Sequence, residues 1–189
     1  DIKTYLHDTE FKSYILIIFF VFLSIVLYTY IEKNEDLTAM QILFQSVSFI
    51  TTSGFTSTTY YSWPSFVTSL LIVISFIGAC AGSTGGGLKV IRVIILFKLL
   101  KKELLKIIHP TAEIPIRVNQ STINEETSAT LYNFFIFYIL SYLALSFLLL
   151  MSGLDMITSF SAVASCINNL GPGLGDVALN YGNINIFAK

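Results

Sequence analysis

The chain has 189 residues, of which 54% are hydrophobic and only 12% charged, with a net charge of −1 and a mean hydropathy of +0.73. A soluble domain carries about 25% charged residues, so this balance excludes an ordinary water-soluble domain. The near-neutral charge gives no footing for nucleic acid, and no nucleic-acid partner is expected.

Asp1 to Lys12 is of mixed charge. Ser13 to Ile31 (SYILIIFFVFLSIVLYTYI) then has no charged residue. It is close to the roughly 20 residues that a helix needs to cross a bilayer. Its length and the lack of a small-residue cleavage site before Glu32 argue against a signal peptide. An acidic hinge follows at Glu32–Asp36, and the next uncharged run, Thr38 to Ala81, is about twice the length of one span. A run of that length must fold back or break. The expected break begins with a short helix over Thr38–Ile50, followed by a glycine turn at Thr52-Ser53-Gly54-Phe55 and a second apolar stretch at Trp63–Gly78.

Ala79-Cys80-Ala81-Gly82-Ser83-Thr84-Gly85-Gly86-Gly87 follows. Each glycine costs about 1 kcal/mol inside a helix, so four within six residues should end one. At 1.5 Å per residue Trp63–Gly78 covers about 24 Å, which puts the break in the inner half of the bilayer. Gly82 and Gly87 have the spacing of a phosphate loop. That motif, however, needs Lys directly after the last glycine and Ser or Thr next, whereas this chain reads Leu88-Lys89-Val90. A kink and a mobile segment that obstructs or regulates a path through the membrane remain, and the second is preferred.

Lys98–His109 (KLLKKELLKIIH) is a basic amphipathic stretch suited to lipid headgroups or to a regulatory partner. Glu113–Thr130 reads as a soluble connection. Leu131–Met151 is the next uncharged span, then a hinge at Ser152–Asp155, a short helix at Met156–Ile167 and a glycine turn at Asn169-Leu170-Gly171-Pro172. From span start to turn glycine there are 41 residues in the first unit (Ser13 to Gly54) and 40 in the second (Leu131 to Gly171). The same order at the same interval is an internal repeat. Both ends of the chain read as cuts through a longer protein.

Lys89, Arg92, Lys98, Lys101, Lys102 and Lys106 stand against the single acid Glu103, so this segment is expected on the cytoplasmic side. Both short helices then enter from the outer face. Such a helix points its partly negative C-terminus to mid-membrane, and the extended chain after it presents carbonyls to a dehydrated cation. Gly54 and Gly171 suit the turn because they accept positive φ. Thr52, Ser53, Asn168 and Asn169 supply polar neighbours, and Pro172 fixes φ near −65° and lacks an N–H. With no carboxylate in either loop, carbonyl oxygens would select a monovalent ion rather than Ca²⁺ or Mg²⁺. No Ser-His-Asp or HExxH arrangement exists, so an enzyme is not expected. Neither is a protein metal site or a cofactor. Cys80 and Cys166 read as buried thiols.

TTSGFTS (Thr51–Ser57), AGSTGGGLKVIR (Ala81–Arg92) and ASCINNLGPGLGDV (Ala164–Val177) resemble the TrkH-type potassium uptake proteins of bacteria, in the Trk/Ktr/HKT superfamily. With the span order, the likeness covers nearly the whole chain. It implies an all-α integral membrane fold of helix–pore loop–helix repeats, of the voltage-gated-like, potassium channel-like type. On that pattern residues 1–110 are the third repeat with its glycine-rich break, 111–130 a cytoplasmic linker, and 131–189 a fourth repeat truncated before its last helix.

Carried over by position, Thr52, Ser53, Gly54 and Phe55 with Asn169, Leu170, Gly171 and Pro172 form two filter walls for K⁺. Gly82, Ser83, Thr84, Gly85, Gly86 and Gly87 become an intramembrane gating loop. The resemblance further implies potassium uptake across the bacterial inner membrane, a homodimer in the lipid bilayer, and control by a cytosolic nucleotide-binding ring of the TrkA type. A filter glycine in both repeats favours potassium over sodium. Sodium- or proton-coupled symport and a non-conducting membrane scaffold are the alternatives.

Overall fold

The computed structural model describes residues 8–32, 37–110, 114–119, 121–182 and 184. Thr9–Ile31 forms helix α1, capped by the Asp8 side chain, which accepts the Phe11 N–H at 3.3 Å. At 1.5 Å per residue its 23 residues reach about 34 Å, enough to cross a bilayer. It is apolar all round, and Leu16, Phe19, Phe20 and Leu27 are left exposed, as a helix facing lipid requires. Val21, Ile25 and Thr29 make its buried stripe. The hydroxyls of Ser24 and Thr29 return to the carbonyls of Phe20 and Val26, so neither is left without a partner in an apolar setting.

Helix α2, Ala39–Ile50, starts in a capping box: Gln41 N–H donates to Thr38 Oγ1 and Thr38 N–H donates to Gln41 Oε1. After a 3-10 turn at Tyr60–Ser62, helix α3 runs Ser65–Ser75. It stops three residues short of the expected Gly78, because Gly78 turns to positive φ (+73°) and packs against the Gly86 carbonyl. Helix α4, Val90–Ile108, resumes after the glycine segment.

The connection between the units departs from a plain loop. Ile116–Val118 (β1) and Ser121–Ile123 (β2) pair antiparallel, with Ile116 opposite Ile123 and Val118 opposite Ser121. Helix α5, Glu125–Met151, begins six residues before the expected Leu131, at an Asn124 cap whose Oδ1 accepts the Thr127 N–H. Its 27 residues span about 40 Å, and Ile136, Phe137, Leu140 and Phe147 are exposed. Helix α6 occupies Met156–Ile167, as the sequence predicts, followed by a 3-10 turn at Gly175–Val177.

Within the first unit α2 packs between α1 and α3, and in the second α6 packs on α5. The units meet where α3 lies against α6. One core cluster runs across that seam, from Ile25, Ile42, Phe49, Trp63, Val67 and Leu71 to Ala164 and Leu170. The basic helix α4 returns along α1 and lies against β1 and α5. Arg92 sits over the Phe134 ring at 4.4 Å, within cation–π range. Lys98 Nζ donates to the Arg117 carbonyl at 2.7 Å.

Candidate ion-conduction site

The short helices α2 and α6 end in the same way. Thr51, Thr52 and Ser53 donate their N–H groups to the carbonyls of Val47, Phe49 and Ser48, and Asn168, Asn169 and Leu170 donate to those of Ala164, Cys166 and Ser165. Each acceptor and donor in one set lies 117 positions from its counterpart in the other. The pattern is a Schellman ending, whose left-handed residue is Thr52 in one unit and Asn169 in the other, both at φ +54°. Two residues later come Gly54 at +71° and Gly171 at +98°. The repeat inferred from spacing is therefore a repeat of hydrogen bonds and dihedral angles.

The two turns touch. A Cβ on Gly54 would overlap the Leu170 carbonyl oxygen and lie 3.0 Å from Pro172 Cδ. Only glycine lets these strands approach so closely, whereas Gly171 has open space around it. Leu170 sends its side chain into the core, while Phe55 is 72% exposed. The first turn is held from inside by Ser48, whose hydroxyl donates to the Phe55 carbonyl at 2.6 Å. Ser53 Oγ lies 3.4 Å from Ser48 Oγ and accepts from Thr51 Oγ1 at 3.1 Å. In the second turn Leu174 N–H donates to Ser161 Oγ at 2.9 Å and Asp176 N–H to Thr158 Oγ1 at 3.1 Å. Tyr181 donates to the Gly171 carbonyl at 3.1 Å.

The glycine segment lies directly beneath both helix ends. Gly86 N–H donates to Thr52 Oγ1 at 2.9 Å. A Cβ on Gly86 would collide with the Asn168 carbonyl, and one on Gly85 would stand 2.9 Å from the Thr51 carbonyl. Gly87, at φ +78°, abuts the Ser75 carbonyl. Gly82 faces open space with no positive φ, and Ser83 and Thr84 are exposed. On the far side Ala81 N–H donates to Glu10 Oε1 at 2.7 Å, while Lys89 Nζ reaches back to the Ser83 carbonyl at 2.7 Å. The segment thus fills the space between the first turn of α1 and the C-terminal ends of α2 and α6. Helix C-termini carry about half a negative charge, so two such ends converge on one region.

Sequence reasoning names Asn168 as a polar neighbour of the second turn but misses the tyrosines that brace the arrangement. Asn168 is fully buried. Tyr138 on α5 donates to its Oδ1, and its Nδ2 donates to Ser75 Oγ at 3.0 Å. The chain of bonds ties α5, the second turn and the end of α3 together. Tyr60, also buried, donates to the carbonyl of Gly173 and lies 3.4 Å from that of Ala178, so the first unit clasps the second. A tyrosine or asparagine inside a membrane-length apolar run is the signal that points to such partners. Cys166, expected to be buried, is exposed, and Cys80 is intermediate.

Membrane-length apolar helices joined through two re-entrant helix-and-turn units define an integral membrane protein of the ion-transport class, built from helix–pore loop–helix repeats. A profile of the TrkH family, described as a cation transport protein, matches residues 6–189. The chain belongs to that family. It is 42% identical to the Trk system potassium uptake protein TrkH of Vibrio parahaemolyticus, over 99% of this chain and 39% of that protein. To TrkH of Escherichia coli K12 it is 39% identical, over 100% of this chain and 40% of that one. The crystal structure of the potassium transporter TrkH from V. parahaemolyticus superposes with a TM-score of 0.89 at 41% identity, over 98% of this chain and 40% of that one. The chain spans about two fifths of the length of these relatives.

Proposed function

We propose that the chain is part of a potassium uptake protein and forms two walls of its ion filter. The observation that carries this reading is the meeting of two equivalent turns, with Gly54 against the Leu170 carbonyl and matching left-handed bends before each. The Schellman endings fix the entry to each turn, and within the turns the Phe55 carbonyl accepts from Ser48 and the Gly171 carbonyl from Tyr181, so the turns are ordered before an ion arrives. That lowers the cost of exchanging water for protein oxygen. In this reading Thr52, Ser53, Gly54 and Phe55 stand beside Asn169, Leu170, Gly171 and Pro172 as adjacent walls of the ion path. Two further repeats of the complete protein close the ring. The relatives bear the name potassium uptake protein, and K⁺ is the ion assigned here.

The glycine segment, seated under the filter, is the gate. Homodimer formation in the inner membrane and control by a cytosolic nucleotide-binding ring complete the proposal, with the basic face of α4 as the cytosolic approach. The test is ⁸⁶Rb⁺ uptake by the complete protein in proteoliposomes, with K⁺, Na⁺ and Li⁺ as competitors. Block by K⁺ but not by Na⁺ or Li⁺ is expected; equal block by all three would defeat the filter assignment. Dependence on a Na⁺ or H⁺ gradient would mark coupled symport, and absence of uptake a scaffold. Shortening Gly82–Gly87 should raise flux; an unchanged flux would defeat the gate.

A further inference from the structure

Thr52 is poorly suited to the backbone it adopts. Its φ of +54° lies in the left-handed region, where β-branched residues are genuine outliers. The matching bend of the second unit uses Asn169, also at +54°, and asparagine tolerates that region. The bend itself therefore needs no threonine.

What Thr52 brings is its hydroxyl, which accepts the Gly86 N–H at 2.9 Å. Among the described residues this is the hydrogen bond that joins the glycine segment to either filter turn. The remaining contacts are steric. A Cβ on Gly85 would lie 2.8 Å from the same hydroxyl oxygen, and one on Gly86 would strike the Asn168 carbonyl. Paired glycines let the segment lie flush on both helix ends, and a single directional bond fixes it. Thr52 is buried, so the bond is little weakened by water. Strain retained at a site that moves is a recognised pattern.

We infer that the Thr52 hydroxyl is the catch of the gate: it is a positioning group that holds Gly86 seated, and opening breaks that one bond. The inference rests on the gate reading above. It makes the first filter turn and the gate one mechanical unit, joined through a side chain rather than through packing alone.

The test uses the complete protein in proteoliposomes and reads two quantities, hydrogen–deuterium exchange of the peptide that contains Gly86 and ⁸⁶Rb⁺ uptake. Thr52→Val keeps the shape and removes the acceptor. Exchange of the Gly86 peptide should speed up several-fold and uptake should rise with it. Thr52→Ser keeps the hydroxyl, and exchange should stay at the parent rate. Thr52→Gly fits the left-handed bend without strain, so it covers the case in which the valine variant fails to fold, and it should behave as Thr52→Val. Unchanged exchange in the valine or glycine variant overturns the catch, as does a serine variant that exchanges like valine. Faster exchange with unchanged uptake would uphold the catch and defeat the gate reading instead.

Discussion

Thr52 and Asn169 lie 117 positions apart and occupy the same bend, φ being +54° in both. Each follows the last turn of a short helix of 12 residues, and each is flanked by the same three backbone hydrogen bonds. A duplicated unit that keeps its backbone while changing its side chains separates two requirements. The bend is common to both turns, and the side chains at it are local adaptations. Beyond the bend the adaptation is again local, for Gly54 is wedged against the other turn and Gly171 is not.

That difference yields the first prediction. Alanine at either glycine has to adopt positive φ, at a cost of about 1–3 kcal/mol. At Gly54 the added methyl also overlaps the Leu170 carbonyl, so the second turn must move. Gly54→Ala should therefore abolish selective uptake and lower the melting temperature, and Gly171→Ala should do less of both. Rb⁺ uptake with K⁺ and Na⁺ competition, together with thermal melting in detergent, measures the pair. Equal effects would show that the close approach of the two turns is not what Gly54 provides.

The glycine segment offers a second contrast inside one run of residues. Gly86→Ala drives a methyl into the Asn168 carbonyl, whereas Gly82→Ala meets nothing within 4 Å. On the proposed gate reading an unseated segment obstructs less, so uptake by Gly86→Ala should exceed that of the parent, and Gly82→Ala should change it far less. Reduced uptake in Gly86→Ala would mean that the displaced segment blocks the path more fully than the seated one.

Much of this was legible because the forces involved are local. The end of the first span at Ile31, the α2 start next to Thr38 and both bounds of α6 follow from charge-free runs, caps and glycine turns. Contacts between distant residues were not legible. The end of α3 is drawn back to Ser75 because Gly78 must meet Gly86, and no periodicity reports that meeting. The early start of α5 was readable in principle, since Asn124-Glu125-Glu126 is a cap followed by acids in the first turn. An absence of charge marks the membrane-length part of a helix rather than the helix itself. The hairpin of β1 and β2 has strands of only three residues, too short to show alternation. Its turn residue Asn119, at φ +51°, is held by Asp8 and Thr9 from the far end of the chain.

The cap of α6 predicts a dependence on pH. Asp155 accepts the N–H groups of Ile157 and Thr158 at 3.1 and 3.2 Å. Hydrogen bonding from Thr158, first through its side chain and then through its backbone, outweighs desolvation and holds the Asp155 carboxyl below its usual range. A carboxyl whose pKa is depressed on folding stabilises the fold fully at neutral pH, and that stability is lost as pH falls through the depressed value. Asp155 is exposed, so the low end of the capping range applies, about 0.5–1 kcal/mol. Asp155→Ala should lower the melting temperature at pH 7, and the difference from the parent should shrink as the pH falls through the depressed value of the Asp155 carboxyl. A loss of the same size throughout that fall would assign the effect to something other than the charged cap.

The bracing residues make the last prediction. Tyr138→Phe keeps the ring and its edge-on contact with Phe76, whose centroid lies 6.1 Å away. It leaves the buried Asn168 Oδ1 without its donor, which costs about 1–3 kcal/mol. Tyr60→Phe likewise keeps the packing on Phe49 at 5.3 Å and removes a donor to the Gly173 carbonyl. The two losses differ in place. Asn168 stands at the inner end of the second turn, beside Gly86, whereas Gly173 stands beyond Pro172 on its outward limb. Both variants should melt earlier than the parent by similar amounts. Only Tyr138→Phe should also quicken hydrogen exchange of the Gly86 peptide, because Asn168 forms part of the surface on which that peptide rests. If Tyr60→Phe loosened the Gly86 peptide as much, the two limbs of the turn would have to move as one rigid body.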